Sequence, residues 1–338
     1  PLSRALHEMA SACVAELADL APHCIVAPGA CELQNPSYMI EVDDGVLVSS
    51  CCAAGGPVGK LAVYDADGQL VRTLRPRLPR SAQFSNPRGV ALDESGAWLY
   101  VVDRDTSRVL KMSRTPRTSG LDTCQLLRQK GRGRRRGGGA DGPGLACPQG
   151  LCAHEGRLYV ADRDNHRVLV LGTRPSPEQL SDVLEVTARI GGCGDEPGQL
   201  YCPMGLAVLA AEDALVVCDA MNSRLQLFAL APPHALLRCF GTEGAAPGQF
   251  RGPFGVAVSP CGARLHVAEA AGARVQTLTT AGVPLQVLSL PGCVYPFGVC
   301  VHGPRVFVSD FHGGLHVLQS RREAASASSQ ASTWRPHE

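Results

Sequence analysis

The chain has 338 residues, enough for one large domain or two ordinary ones, and 45% of them are hydrophobic, enough for a sizeable core. Its formal net charge of +1 excludes a long-range attraction of the whole chain to nucleic acid or to anionic membranes. No uninterrupted apolar run reaches about 18 residues, so we expect no helix that spans a bilayer. A charged binding surface must therefore come from a local cluster.

The first residues predict a helix. Apolar side chains recur there at helical spacing, at Leu2, Leu6, Met9, Cys13, Leu17 and Leu20. We predict a helix over residues 1–22 that packs on the rest of the chain, ends an upstream domain or binds a partner. No basic region followed by an apolar core precedes it, so we predict no signal peptide and expect a cytoplasmic protein, although the initial proline leaves processing or truncation open.

From residue 36 onwards, one sequence motif, which we call the repeated phrase, occurs in five clear copies and one degenerate first copy, in which Tyr38 stands in place of the glycine. It has the form Pro-x-Gly-Val/Leu-Ala/Cys-Val, followed by a β-type run that ends in an acid, a polar bend and Arg-apolar-x-apolar. The anchoring prolines are Pro36, Pro87, Pro148, Pro203, Pro253 and Pro296. Their separations of 43 to 61 residues suit one four-stranded sheet each. Such sheets bury both faces by packing on one another in a ring, so we predict an all-β, six-bladed β-propeller over residues 23–320.

The amino-acid sequence of the repeated phrase is similar to that of a known repeat. Copies such as LACPQGLCA…RLYVADRDNHRVLVL resemble NHL repeats, and Asn165-His166 followed by Arg167-Val168 comes nearest to the name-giving tripeptide. The resemblance implies a propeller fold. It also implies two kinds of function, because NHL propellers of tripartite-motif ubiquitin ligases and Brat-type repressors recognise substrates or RNA, whereas the lyase of peptide-amidating enzymes binds metal through inward histidines.

Closure of the ring requires an outer strand for the last blade. After Leu315–Gln319 the chain continues as RREAASASSQASTWRPHE, without a strand pattern, and we predict a disordered tail over residues 321–338. The early segment HCIVAP is apolar and lies just before the first phrase. We therefore predict that Cys24–Ala27 pairs with the last blade and hides two open edges.

An acid and an arginine recur five positions apart within the phrases. The pairs are Asp103/Arg108, Asp162/Arg167, Asp219/Arg224 and Glu269/Arg274, whereas Asp310 faces Leu315. A catalytic dyad would be needed only once, so the repetition favours a structural ion pair that holds each bend. Asn165 and Asn222 are predicted to supply left-handed backbone in these bends.

The fifteen cysteines include no CxxC pair, and several lie inside apolar runs. A free thiol behaves there as a small hydrophobic side chain. Reduced, buried thiols are therefore favoured over a disulfide framework, and no metal site or cofactor is predicted.

Function is expected where the bends and the inter-blade linkers share one face of the disc. The linker LLRQKGRGRRRGGGADGPG places five positive charges there, which suit phosphates or an acidic partner, unless it is only a solvated insertion. The first residue after each anchoring proline is expected at the channel mouth. The predicted partner- or RNA-binding residues are Arg88, Arg104, Lys130, Arg132, Arg134, Arg135, Arg136, Arg163 and His166.

Two functions remain open at this point. The favoured one is a non-enzymatic interaction scaffold, part of a larger chain or complex, that binds a protein or single-stranded RNA and no small-molecule substrate, including as the recognition end of a ubiquitin-ligase-like protein. No RING or B-box cysteine pattern is present to support ligase activity itself. The alternative is a metal-dependent lyase or hydrolase with its site in the central channel, although the ten histidines do not form a recognisable inward set.

Overall fold

The computed structural model describes residues 20–26, 34–51, 59–74, 83–114, 121–127, 144–173 and 184–320. Within these ranges, no helix is long and apolar enough to cross a membrane. The helical segments there are three short 3-10 turns at Arg163–Asn165, Ala210–Glu212 and Ala220–Asn222. The ten cysteines whose side chains are described are free thiols.

Twenty-four strands form six four-stranded antiparallel sheets, which confirms the predicted six-bladed β-propeller. The innermost strands are β2 (Pro36–Val42), β6 (Pro87–Leu92), β10 (Pro148–His154), β14 (Pro203–Leu209), β18 (Pro253–Val258) and β22 (Pro296–His302). The second strands are β3 (Gly45–Ser50), β7 (Trp98–Asp103), β11 (Arg157–Asp162), β15 (Ala214–Asp219), β19 (Arg264–Glu269) and β23 (Arg305–Asp310).

The third and fourth strands form the outer half of each blade. The third strands are β4 (Lys60–Tyr64), β8 (Arg108–Arg114), β12 (Arg167–Gly172), β16 (Arg224–Ala229), β20 (Arg274–Thr279) and β24 (Gly314–Ser320). The fourth strands are β5 (Leu70–Leu74), β9 (Leu121–Leu127), β13 (Glu185–Ile190), β17 (Leu236–Phe240), β21 (Pro284–Ser289) and β1 (Leu20–Val26). We number blades 1 to 5 from β2 to β21 and call the sheet of β22, β23, β24 and β1 the closing blade.

The innermost strands contact one another in a closed ring, from β2 through β22 and back to β2. In blades 2 to 5 and the closing blade, the glycine of the repeated phrase makes this approach possible. A Cβ added at Gly89 would lie 2.4 Å from the Gln149 carbonyl oxygen, and one at Gly205 would lie 2.5 Å from that of Phe254. Because no Cβ contact is that short, only glycine fits at these junctions. In blade 1, Tyr38 stands at the glycine position.

Hydrophobic burial between neighbouring sheets stabilises the ring. Tyr100 and Val102 of blade 2 pack in one cluster with Leu158, Val160 and Leu169 of blade 3. The second strand β11 is buried on both faces, whereas the outermost strand β13 of the same blade alternates. Continuous apolar runs and alternating runs are the patterns expected of two-sided and one-sided burial.

The closing blade is completed from the start of the chain. β1 pairs antiparallel with β24, from Leu20 opposite Ser320 to Val26 opposite Leu315. The prediction is confirmed for Cys24–Val26, while Ala27 lies outside the described residues. The predicted helix over residues 1–22 is not borne out: Leu20–Pro22 belong to β1, because pairing with the free edge of β24 outweighs a local helical pattern. Residues 1–19 and the tail at 321–338 lie outside the described residues.

Candidate functional site on the bend face

The bends between second and third strands and the inter-blade linkers lie on one face, which we call the bend face. Each innermost strand starts there, because its proline pairs with the acid that ends the second strand, as in Pro87 opposite Asp103. The hairpins at the other ends of the strands form the opposite face. In blades 2 to 5 and the closing blade, the bend face therefore carries both the anchoring proline and the acid of the repeated phrase.

The four predicted ion pairs are formed, which confirms the structural interpretation of the repeated acid and arginine. The contacts are Arg108 Nη2 to Asp103 Oδ2 at 3.2 Å, Arg167 Nε to Asp162 Oδ2 at 2.8 Å, Arg224 Nε to Asp219 Oδ2 at 2.7 Å and Arg274 Nε to Glu269 Oε1 at 2.8 Å. All four acid side chains are 0% exposed. Each acid also accepts a hydrogen bond from a backbone N–H of the incoming linker, as from Ala146 in blade 3 at 2.6 Å.

The pairs hold the bend and the linker together rather than face a ligand. Arg167 donates to the Gly144 carbonyl at 3.0 Å as well as to Asp162. Burial raises the pKa of Asp162, although the Ala146 N–H, Asn165 and Arg167 oppose that rise. Desolvation is therefore the largest cost at this carboxylate, and removing one partner would leave it uncompensated.

The two asparagines act differently from the prediction. Positive φ angles occur one residue later, at His166 (55°) and Ser223 (52°). The side chain of Asn165 instead donates to Asp162 Oδ2 at 2.8 Å, and that of Asn222 donates to Asp219 Oδ2 at 2.8 Å. Asparagine is thus selected here by its amide donor and not by its backbone.

The channel mouth on the bend face is filled by the residues that follow the anchoring prolines. They are Ser37, Arg88, Gln149, Met204, Phe254 and Phe297. All but Phe254 are buried. The guanidinium of Arg88, from blade 2, lies 5.2 Å from the ring centre of Phe297 and 5.0 Å from that of Phe311, both in the closing blade. Arg88 therefore reaches past blade 1 into the centre of the ring.

Arg88 is 4% exposed, and its Nε and Nη1 atoms have no hydrogen-bond partner among the described residues. Burial lowers its pKa, and the positive charge of Arg104 lowers it further, against the opposing effects of Cys51, Tyr38 and Asp105. The two aromatic faces supply cation–π contacts but no acceptor in the plane of the guanidinium. A buried guanidinium with free donors is a ready site for an anionic group.

Arg104 and Arg163 surround the same mouth. Both are about one-third exposed and lie beside an acid, Arg104 at 3.9 Å from Asp105 and Arg163 at 2.9 Å from Asp164. Burial raises the pKa of Tyr295, and the charges of Arg163 and Arg88 oppose that rise. The structure thus brings together three of the predicted binding residues, which come from two blades.

His166 stays close to its bend. Its Nδ1 accepts a hydrogen bond from the Cys202 N–H at 3.1 Å, and its ring stacks on Tyr201 with centroids 4.9 Å apart. Tyr201 is 42% exposed and does not fill the interface between blades 3 and 4. Leu200 fills that interface instead and is 0% exposed, as is Phe250 in the next linker. The stacked pair presents an open aromatic surface on the bend face.

Sequence reasoning missed an aromatic cluster beside Arg88. Tyr295 and Phe254 meet edge to face at 5.7 Å, and Phe297 stacks on Phe311 at 5.4 Å. Tyr295 comes from a linker and Phe311 from a bend, so nothing in their spacing joins them. The available signal was that each stands next to a residue of the repeated phrase, beside Pro296 or Asp310.

Below the mouth, the channel encloses a cavity of about 300 Å³. The innermost strands line it, mainly with aliphatic side chains, and the ionisable groups among its described lining residues are Tyr38, Glu41 and Cys152. Burial raises the pKa of the Cys152 thiol, so it is not a ready nucleophile. This lining does not fit the inward histidines that a metal-dependent lyase of the resembled family would need.

The predicted arginine-rich cluster lies outside the described residues, namely Lys130, Arg132, Arg134, Arg135 and Arg136. Its linker leaves β9 and enters β10, whose first residue Pro148 starts on the bend face.

Comparison with known proteins agrees with this architecture. The family model of the NHL repeat matches residues 145–171. The structure is similar to a chain in the crystal structure of a nidogen/laminin complex, with a TM-score of 0.55 and 17% identity over 78% of this chain and 84% of that chain. It is also similar to a functionally unknown protein from Desulfotomaculum acetoxidans, with a TM-score of 0.51 and 11% identity over 81% and 74% of the respective chains. No curated protein matches the sequence. At these identities the structural likeness shows the fold alone, whereas the repeat match confirms the resemblance to NHL repeats.

Proposed function

We propose that this NHL-repeat β-propeller is a non-enzymatic recognition module that binds single-stranded RNA on its bend face. The observation that carries the proposal is Arg88, whose guanidinium is buried at the channel mouth with free donors and no acidic side chain in contact among the described residues. A phosphate oxygen entering the mouth would provide the missing acceptors and the opposite charge.

The surroundings of Arg88 favour RNA over an acidic peptide. Binding of single strands combines cations that follow the phosphates with rings on which bases stack. Arg104 and Arg163 supply further charge, and the exposed Tyr201 ring, already stacked on His166, offers a free face. An acidic protein segment would use the arginines but would gain less from the rings.

The wider role follows the family resemblance. NHL propellers of tripartite-motif and Brat-type proteins serve as recognition ends of longer chains, and this module would act in the same way, as the targeting part of a ubiquitin-ligase-like protein or of a repressor complex. The linker with Arg132, Arg134, Arg135 and Arg136 would add charge next to the mouth, since it joins β10 on the bend face.

The experiment is a binding titration with a labelled single-stranded RNA of about 12 nucleotides, a length within the range of single-strand binding sites. The test variant combines R88Q, R104Q and R163Q. The matched control combines R72Q, R238Q and R305Q, which removes three ion-paired arginines from the opposite face, beside Asp44, Glu212 and Asp67. We expect at least about tenfold weaker binding in the test variant only. The slope of log K against log salt should fall by about 0.7 for each phosphate that the test variant no longer neutralises.

Equal weakening by both triple variants, or no RNA binding by the wild-type protein, would overturn the proposal. Binding of a labelled polyglutamate peptide in place of RNA, abolished in the same test variant, would reassign the mouth to a protein partner. A third variant with Arg132, Arg134, Arg135 and Arg136 changed to Glu tests the linker separately, and unchanged RNA affinity would remove the linker from the mechanism.

A further inference from the structure

The closing blade departs from the others at its bend. Asp310 ends β23 opposite Pro296, in the same register as the acids of blades 2 to 5. In those blades the acid pairs across the bend with an arginine, as Asp162 does with Arg167. Asp310 instead pairs with Gly314, so the expectation that it faces Leu315 is wrong. Because Gly314 has no side chain, the Asp310 carboxylate, which is only 4% exposed, has no guanidinium opposite it at this register.

Two buried side chains lie near Asp310, on the side where blades 2 to 5 have the arginine. His316 stands two residues after Gly314, the position of Gln226 and Gln276 in blades 4 and 5, and it is 3% exposed. Both glutamines donate a hydrogen bond to the acid of their blade. Gln226 donates to Asp219 at 3.0 Å, and Gln276 donates to Glu269 at 2.6 Å. The position therefore directs its side chain towards the acid.

Cys293 approaches from the linker. It stands three residues before Pro296, where the linkers into blades 2 to 5 carry a buried apolar residue: Phe84, Leu145, Leu200 and Phe250. It is 8% exposed. A sulfur, an imidazole nitrogen and a carboxylate oxygen, from Cys293, His316 and Asp310, all lie within 4.8 Å of one another.

We infer that Cys293, Asp310 and His316 form a zinc site that holds the closing blade, with the metal ion in the place of the guanidinium of blades 2 to 5. Thiolate, imidazole and carboxylate are the ligand types that Zn²⁺ takes in proteins, and an ion at 2.0 to 2.3 Å from each donor fits atoms that lie this close together. A water molecule would complete the tetrahedral coordination. The three ligands join the linker, β23 and β24. The zinc ion would also supply the positive charge that arginine supplies beside the acids of blades 2 to 5.

The remaining contacts of Asp310 orient it for this role. Its Oδ1 accepts hydrogen bonds from the N–H groups of Tyr295 and His312 at 3.1 Å, and its Oδ2 accepts one from Val294 at 3.0 Å. Carboxylates that ligate metals are themselves held by such bonds. When the ion binds, the sulfur–hydrogen bond of Cys293 is replaced by a sulfur–zinc bond and the proton passes to solvent. No redox partner is required.

The test uses the full chain, stripped with a chelator and titrated with Zn²⁺, with bound metal measured by elemental analysis. The variants are C293S and H316Q, the second of which introduces the residue of blades 4 and 5. The matched control is C300A, which removes another buried thiol of the same blade and introduces the alanine of blades 2, 4 and 5. We expect one equivalent of zinc fewer in each test variant, and affinity lower by about 100-fold or more, since even outer-shell changes cost 10- to 100-fold.

Two further measurements keep the test decisive if a variant folds poorly. Co²⁺ in the wild-type protein should show a thiolate-to-cobalt charge-transfer band. The variant G314R, which restores the arginine of the other blades at this register, should lose that band and one equivalent of zinc while staying folded. No cobalt–thiolate band in the wild type, or zinc content equal in the wild type, C293S and G314R, would overturn the inference.

Discussion

Blades 2 to 5 and the closing blade are built from the same phrase, yet they hold their bends differently. In blade 3 the buried carboxylate of Asp162 receives a linker N–H together with the guanidinium of Arg167. In the closing blade Asp310 receives two linker N–H groups and pairs with Gly314. The acid and its backbone donors are common to both, so the capture of the linker is the shared task. The arginine is the charge compensation, and the inferred zinc ion would take its place in the closing blade.

The largest effect should come from breaking an ion pair in blade 3. R167A leaves Asp162 buried with an uncompensated charge, which costs about 3–5 kcal/mol in similar pairs. The control R163A removes an exposed partner of Asp164 and should cost below about 1 kcal/mol. The free energy of unfolding in urea measures both. Similar losses in the two variants would mean that burial of the pair does not decide its contribution.

A second difference between the blades predicts a dependence on pH. The third residue of the second strand is His266 in blade 5 and Phe307 in the closing blade. Burial lowers the pKa of His266 to about 4, with a further contribution from the charge of Arg264. The unfolded chain takes up this proton near pH 6.5, whereas the folded chain resists it down to about pH 4. His266 therefore costs the folded state no stability above pH 6.5. The free energy of unfolding decreases as the pH falls from 6.5 to 4, because only the unfolded chain binds the proton in that range.

The test is H266F, which gives blade 5 the residue of the closing blade. Between pH 7 and pH 4, the wild-type protein should lose about 3 kcal/mol more unfolding free energy than H266F. H302F, which removes a histidine next to Glu41 at the opposite face, is the matched control. A decline of the same size in H266F would show that other groups cause the acid sensitivity.

The smallest of the three effects concerns the junction where the ring closes. A Cβ at Gly298 would lie 2.1 Å from the Ser37 carbonyl oxygen, whereas one at Gly172 would meet only a methyl group of Thr187 at 3.5 Å. We expect G298A to cost about 1–3 kcal/mol, as overpacking does, and G172A to cost less. Urea unfolding compares the two, and hydrogen exchange in β22 and β2 locates the damage. If G298A cost no more than G172A, the closing junction would yield to the added methyl group and the 2.1 Å approach would not limit it.

Much of the fold could be predicted because it is local and repeated. The proline phrase marks the start of β6 at Pro87 and of its five equivalents, since a strand buried on both faces leaves a continuous apolar run in the sequence. The pairing of Cys24–Val26 with β24 could also be predicted, because a propeller must cover its last free edge. The helix over residues 1–22 failed for the same reason: Leu20–Pro22 satisfy their backbone groups on that edge instead.

The site was less accessible to sequence reasoning. Arg88 could be placed at the channel mouth, because every residue after an anchoring proline lies there. Its contact with Phe311 could not, because that ring comes from a bend more than two hundred positions away in the chain. The apposition of Cys293 with His316 was equally hidden, since each residue is ordinary within its own segment.

The sequence by itself determined the number of blades, the strand order within each blade and the acid–arginine pairs, because all of these depend on spacing within one repeat. Only the tertiary structure decided which side chains meet at the channel mouth and beside Asp310. Closing the ring brings residues from different blades to a common axis, and the position of each then depends on the packing of all six sheets. A periodic pattern describes what the repeats share, whereas both sites are formed where single residues depart from it.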